Sequence, residues 1–262
     1  MLYLLAPFAY IGTIFGDNES IIKIPLLLAD LAILFFLVKI FPHKKQKLIL
    51  FYFLNPIIIY SIYIHSQLDI IPTALLFGSV YFLLLDKIKI SSIFFGLALS
   101  TKFHVIIALP LVLFYLYKKQ KSIKVVEYIA ISFFILLLLD LPFLFSEGFL
   151  NMVLLNPKQT LLFDTFYSIG TLKILLPIAA ILMVYLHFFN QNKVNQDLLF
   201  FYFGLLFTAT VFFIYPAPAW YVWMIPFLSI YFIQNQNQKK SILLYGAFSL
   251  AYLIFFIFFY KS

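Results

Sequence analysis

The chain has 262 residues, 65% hydrophobic and only 11% charged, with a formal net charge of +8; a soluble domain of this length cannot hide so much apolar surface, so the chain is read as a polytopic integral membrane protein. The basic balance comes from 18 lysines with no arginine, placed beside apolar runs where they set topology and meet anionic headgroups, so the expected partner is the lipid bilayer and not nucleic acid. Absence of cysteine excludes disulfides, thiolate metal sites and a cysteine nucleophile.

In chain order, the first apolar run stops near Phe15, too short to span comfortably, and residues 1–22 are expected to form an outer interfacial segment. Runs fit for crossing a bilayer follow at about 23–41, 48–64, 68–85, 125–145, 171–189, 198–214, 221–233 and 241–260. The stretch 90–117 is ambiguous. As one helix it would put Lys118, Lys119, Lys121 and Lys124 outside, although Asp86-Lys87-Ile88-Lys89 is already inside. Split at Thr101-Lys102 into two short helices, it returns that cluster to the cytoplasm, as the positive-inside rule prefers. The expected fold is therefore an all-α transmembrane bundle of about nine or ten spans, including one pair of short helices. Residues 146–170 are expected to lie on the outer surface as an amphipathic loop. No repeat, linker or second domain stands out, so residues 1–262 are read as a single membrane domain.

With this topology, the lysine clusters at 39–47, 87–89, 118–124 and 239–240 face the cytoplasm, and polar chemistry gathers on the other side. His65-Ser66-Gln67-Leu68-Asp69 forms an outer turn. There His65, Gln67 and Asp69 can bind a sugar or diphosphate head, or Asp69 can simply cap its helix. Lys102, with His104 beside it, lies between two short apolar helices. A lysine there is costly unless it snorkels or meets an anion such as a phosphate. Tyr215, Trp220 and Tyr221 stand in a proline-interrupted aromatic stretch, suited to stacking on sugar faces or to an interfacial belt. Asp17 and Glu19 can act as a base, hold a divalent metal, or cap the next helix. The pattern demands no cofactor and admits only such a metal; no metal-ligand spacing is present. Asp30 and Asp140 are intramembrane carboxylates, hence candidates for function or for hydrogen bonding to a neighbouring helix.

Read in order, Leu54-Asn55-Pro56, then Ser66-Gln67-Leu68-Asp69, then Thr101-Lys102-Phe103-His104 before Ala108-Leu109-Pro110 resemble the ordered motifs of GT-C fold glycosyltransferases that use polyprenyl-phosphate sugars, in particular the mannosyltransferase-like members. The second motif carries Ser66 and Leu68 where the family has glycine and phenylalanine. Leu27-Leu28-Ala29-Asp30-Leu31 is similar to the family's aspartate-bearing helix, and the likeness fades after about residue 117. The resemblance implies a multi-pass cell-membrane enzyme that moves a mannose-like sugar from a polyprenyl or dolichyl phosphate to an acceptor on the extracytoplasmic face. It assigns Lys102 to the lipid phosphate. It also implies a catalytic carboxylate in the first outer loop, after a first transmembrane helix that this chain is read as lacking. Asp17, Glu19 or Asp69 then supplies the base, or an N-terminal partner subunit does. A transporter or flippase of a lipid-linked or anionic substrate, using the same broken helix, and a catalytically silent membrane subunit are the competing expectations.

Overall fold

A computed structural model describes residues 2–119, 121–157, 160–214 and 217–259, with the backbone alone for Leu2. The chain is an all-α polytopic helical protein, and strand among the described residues is confined to one hairpin. Among the described residues three helices, Asn18–Ile40, Ser122–Phe143 and Gln238–Phe259, are long and apolar enough to cross a bilayer. Lys45–Phe53 and Pro56–Ile64, bent by 41° to one another, are together long and apolar enough for a broken span or a re-entrant loop. The other apolar helices have 10 to 17 residues, shorter than the ~20 residues a standard span needs.

The chain divides into two compact units, Met1–Gly78 with Ala217–Ser262, and Ser79–Pro216. In the first, helix Leu2–Phe15 folds back along Asn18–Ile40. The reversal passes through Gly16 at φ 70, a left-handed conformation that glycine adopts without strain. Gly12 lets the two backbones meet, since a Cβ there would lie 2.9 Å from the Asn18 Cα. Residues 18–22, expected in the interfacial segment, are the first turns of the long helix.

The run 48–64 is not one rod. Pro56 has no N–H to give and forces Asn55 into extended backbone, φ −67 and ψ 120, which breaks the helix there. Both halves then widen into π-helical turns, Ile49–Phe53 and Ile59–Ile64. Asn55 repairs the joint: its Oδ1 accepts from Ile57 N at 2.9 Å and its Nδ2 donates to Phe51 O at 3.2 Å. Helices Ile225–Gln234 and Gln238–Ile254 pack against the two halves. Ser229 Oγ donates to Phe51 O and Tyr245 Oη donates to Leu50 O, which uses carbonyls near the π-helical turn.

In the second unit the expected division of 90–117 is present. Helix Ile88–Thr101 ends at Lys102, whose backbone is extended at φ −154 and ψ 115. A 3-10 turn, Phe103–Ala108, leads to helix Leu109–Lys118, entered through Pro110. Ile88–Thr101 lies closely along Ser122–Asp140. Gly96 makes that approach feasible, because a Cβ would come within 2.6 Å of Ser132 O and 2.8 Å of Ile135 Cβ. Buried hydroxyls stitch the same layer. Ser79 and Tyr128 hydroxyls are 2.8 Å apart, Ser91 Oγ donates to Ser79 O at 2.7 Å, and Ser132 Oγ donates to Ser92 O at 3.1 Å.

Residues 146–170 carry short helical turns at Glu147–Phe149 and Leu161–Asp164. The apolar run expected from residue 171, however, starts as a strand. Phe166–Ile169 (β1) pairs antiparallel with Leu172–Leu175 (β2), and the helix begins only at Leu176. Gly170, at φ 60, makes the tight turn between them, and β-branched Ile169 and Ile174 suit extended backbone.

Candidate functional site

The first unit carries most of the expected site. After the bent pair, the chain turns through His65–Asp69 into helix Ile70–Leu84. Ser66 takes φ 52, a left-handed backbone that costs an L-residue about 1–2 kcal/mol. That is the physical reason a glycine belongs at this position of the motif, and Ser66 holds the turn in spite of it. Gln67 N donates to Ser61 O at 3.1 Å and His65 N to Tyr60 O at 3.0 Å, so the turn is closed by backbone bonds. His65 is exposed, with its ring 4.5 Å from that of Tyr60, and Gln67 is half-buried.

Asp69 is buried, 6% exposed. Its backbone carbonyl accepts from Thr73 N and Thr73 Oγ1 in the first turn of the helix. Its carboxylate does more than close that turn, because Oδ1 accepts the indole N–H of Trp223 at 2.9 Å. The 3-10 helix Pro218–Trp223 thus brings the aromatic stretch to the turn. Ser61 Oγ and Tyr252 Oη both donate to Pro218 O, at 3.1 and 2.9 Å, and hold that stretch in place. Trp220 and Tyr221 are half-buried; Tyr221 packs edge-on against Tyr252 at 5.0 Å. Tyr215 lies outside the described residues. The indole that reaches Asp69 belongs to Trp223, the last residue of the aromatic stretch, which was not among the binding residues chosen from it. Its partner is 154 residues away, and no local signal announces the pairing.

Asp17 and Glu19 sit at the start of the long helix, both exposed. Asp17 is the N-cap and accepts from Ser20 N at 3.0 Å; this backbone bond holds its carboxyl below the usual carboxylate range. Glu19 pairs with Lys23 at 3.3 Å one turn on. Asp30, midway along the same helix, is fully buried. Tyr52 Oη donates to its Oδ1 and Tyr63 Oη to its Oδ2, each at 2.7 Å. Among the described residues no group of three or more His, Asp or Glu could hold a metal ion.

Lys102 and His104 belong to the second unit and are half-buried. Lys102 N donates to Ala98 O at 3.0 Å, and Val105 N to Lys102 O at 3.2 Å. The lysine therefore stands where two apolar helices part, with extended backbone and no side chain capping the turn that follows. Irregular backbone between apolar helices is tolerated only inside protein or along a cavity, and a cation there is suited to an anionic ligand. Asp140, the last residue of Ser122–Asp140, is half-buried in the same unit.

The profile of a protein family described as "ALG3 protein" matches residues 21–154, just over half of the 262-residue chain. That span takes in Asp30, the Asn55-Pro56 joint, the His65–Asp69 turn and Lys102. Comparison with curated proteins and with solved structures finds no significant match.

Proposed function

From the premise that this chain belongs to the ALG3 protein family, a family of membrane glycosyltransferases, we propose that it transfers mannose from a polyprenyl or dolichyl phosphate to an acceptor hydroxyl on the extracytoplasmic face of the cell membrane. The observation that carries the reading is Lys102, half-buried at the parting of two short apolar helices, inside the matched span. The acceptor oxygen attacks the anomeric carbon, the bond from that carbon to the phosphate oxygen breaks, and polyprenyl phosphate leaves. A carboxylate takes the proton of the acceptor hydroxyl, and the Lys102 ammonium stabilises the charge that grows on the departing phosphate.

Among the carboxylates, the exposed Asp17 and Glu19 are open to an acceptor. Asp69 is buried with one oxygen on the Trp223 indole, which suits holding the donor head together with Gln67 and His65. His104, beside Lys102 in the second unit, and Trp220 and Tyr221, beside the His65–Asp69 turn in the first, are the further binding candidates, each within its own unit. One carboxylate base is sufficient for inversion at the anomeric carbon; retention through a covalent intermediate needs a second.

The test is transfer from radiolabelled polyprenyl-phosphate mannose in membranes holding the full chain. Transfer falls by about 100-fold in Lys102→Ala, the size expected when a group that meets transition-state charge is removed, and in Asp69→Ala. Undiminished transfer in both variants would defeat the site. Movement of the lipid-linked sugar across proteoliposomes with no glycosidic product would replace the transferase reading by transport.

A further inference from the structure

The bent pair Lys45–Phe53 and Pro56–Ile64 carries the His65–Asp69 turn at its end. Its joint is weak by construction. Pro56 gives no N–H, Asn55 is extended, and both flanking stretches are π-helical. A continuous helix sets its own direction through its ladder; a joint of this kind does not. Asn55 satisfies the groups freed at the joint and helices Ile225–Gln234 and Gln238–Ile254 pack on its halves; a contact that ties one half to the other through a third helix would fix the angle between them.

Asp30 is placed to do so. Its two carboxylate oxygens are divided between the halves: Oδ1 takes the hydroxyl of Tyr52, before the joint, and Oδ2 that of Tyr63, after it, both at 2.7 Å. Asp30 lies on Asn18–Ile40, a continuous helix of 23 residues, and is fully buried. An ionised carboxylate with only one of its oxygens bonded there would be costly, so the arrangement is stable when both tyrosines stay. Tyr63 is separated by a single residue from His65, where the turn begins.

We propose that Asp30 is a positioning residue: by bridging the two halves of the bent pair it sets their angle and so the place of the His65–Asp69 turn. For catalysis this rests on the transferase reading; for the angle it does not. A chain without cysteine permits a clean test. Leu28→Cys and Ile64→Cys, both at exposed positions, take spin labels on the fixed helix and on the far half, and the distance distribution is measured with the full chain in lipid nanodiscs. The parent pair gives one narrow distribution, and Asp30→Asn keeps it, because an amide can still bond both phenols. Asp30→Leu and Tyr63→Phe broaden it. In the transfer assay Tyr63→Phe lowers kcat by about tenfold, the size of one hydrogen bond to a charged group, with KM little changed, and Asp30→Asn retains most activity. A distribution equally narrow in Tyr63→Phe overturns the proposal, even where Asp30→Leu fails to fold. Broadening with unchanged kcat also overturns the positioning role. If the parent transfers no sugar, the transferase reading fails alone, and the label distances still decide the clamp.

Discussion

The two units each interrupt an apolar helix, and they do it differently. At Asn55 the interruption is mended from within: the side chain bonds Ile57 N and Phe51 O, and the residue is buried. At Lys102 the backbone is just as irregular, yet the side chain at the break is a cation and no side chain caps the turn after it. A mended break serves shape. A break that carries an ammonium between apolar helices is where the proposed function seats the phosphate of the donor.

The largest test of this contrast substitutes alanine at each break. Lys102→Ala is expected to lower mannosyl transfer by about 100-fold with the melting temperature unchanged, and Lys102→Arg to keep part of the rate. Asn55→Ala is expected to cost about 1–2 kcal/mol of stability, read as a lower melting temperature in detergent, while the folded fraction keeps its turnover. Equal loss of rate in both would erase the distinction between them.

A second test compares glycines across the units. Gly96→Ala drives a methyl into Ser132 O and Ile135 and should destabilise by about 1–3 kcal/mol. Gly246→Ala, in helix Gln238–Ile254 with nothing within 4 Å of the added carbon, should stabilise by about 0.5–1 kcal/mol. Thermal melts of the two variants carry opposite signs if the helix contact in the second unit is as close as described.

A third concerns the turn after the mended break. Ser66→Gly removes a strained left-handed backbone at φ 52 and should raise stability by up to about 1 kcal/mol, the strain relieved less the entropy glycine adds to the unfolded chain. Transfer should be unchanged. A fall in melting temperature would show the serine hydroxyl to be needed at the turn.

The smallest effect is electrostatic. Lys121 donates a hydrogen bond to Asp86, which holds that carboxyl below the usual carboxylate range. A lowered folded pKa contributes stability that is present above the unfolded value and lost as pH falls through the folded one. Asp86→Asn should therefore flatten the acid side of the melting curve below about pH 4. The change is small because the pair is exposed, and added salt should weaken it further.

Much of the frame was legible from hydropathy and lysine placement. The division at Thr101-Lys102 follows from where Lys118–Lys124 must lie, and the structure divides there. The long helix was read from residue 23, about a turn past its start at Asn18, and the break at Asn55-Pro56 lay hidden inside a run, 48–64, that is apolar on both sides of it. The strand Leu172–Leu175 was hidden, because its residues are as apolar as the helix that continues from them and only Gly170 marks the turn. The π-helical turns leave no trace in composition. At the site, the sequence pointed to Asp69 and to the aromatic stretch separately. Which ring meets the carboxylate depends on the 3-10 geometry of Pro218–Trp223, and that is set by Ser61 and Tyr252, distant in the chain. Asp30 was marked as a carboxylate able to bond a neighbouring helix, but a period along one helix says nothing of which two phenols it will meet.

Two of the buried contacts, the bridge on Asp30 and the Ser79–Tyr128 link, differ in direction as well as in place. A carboxylate has only lone pairs to offer, so the protons of Tyr52 and Tyr63 point one way, toward Asp30. Between Ser79 and Tyr128 either oxygen can be the donor, and that link can turn over without moving a heavy atom. The bridge on Asp30 thus has a fixed sense, while the Ser79–Tyr128 link admits either sense within the same frame.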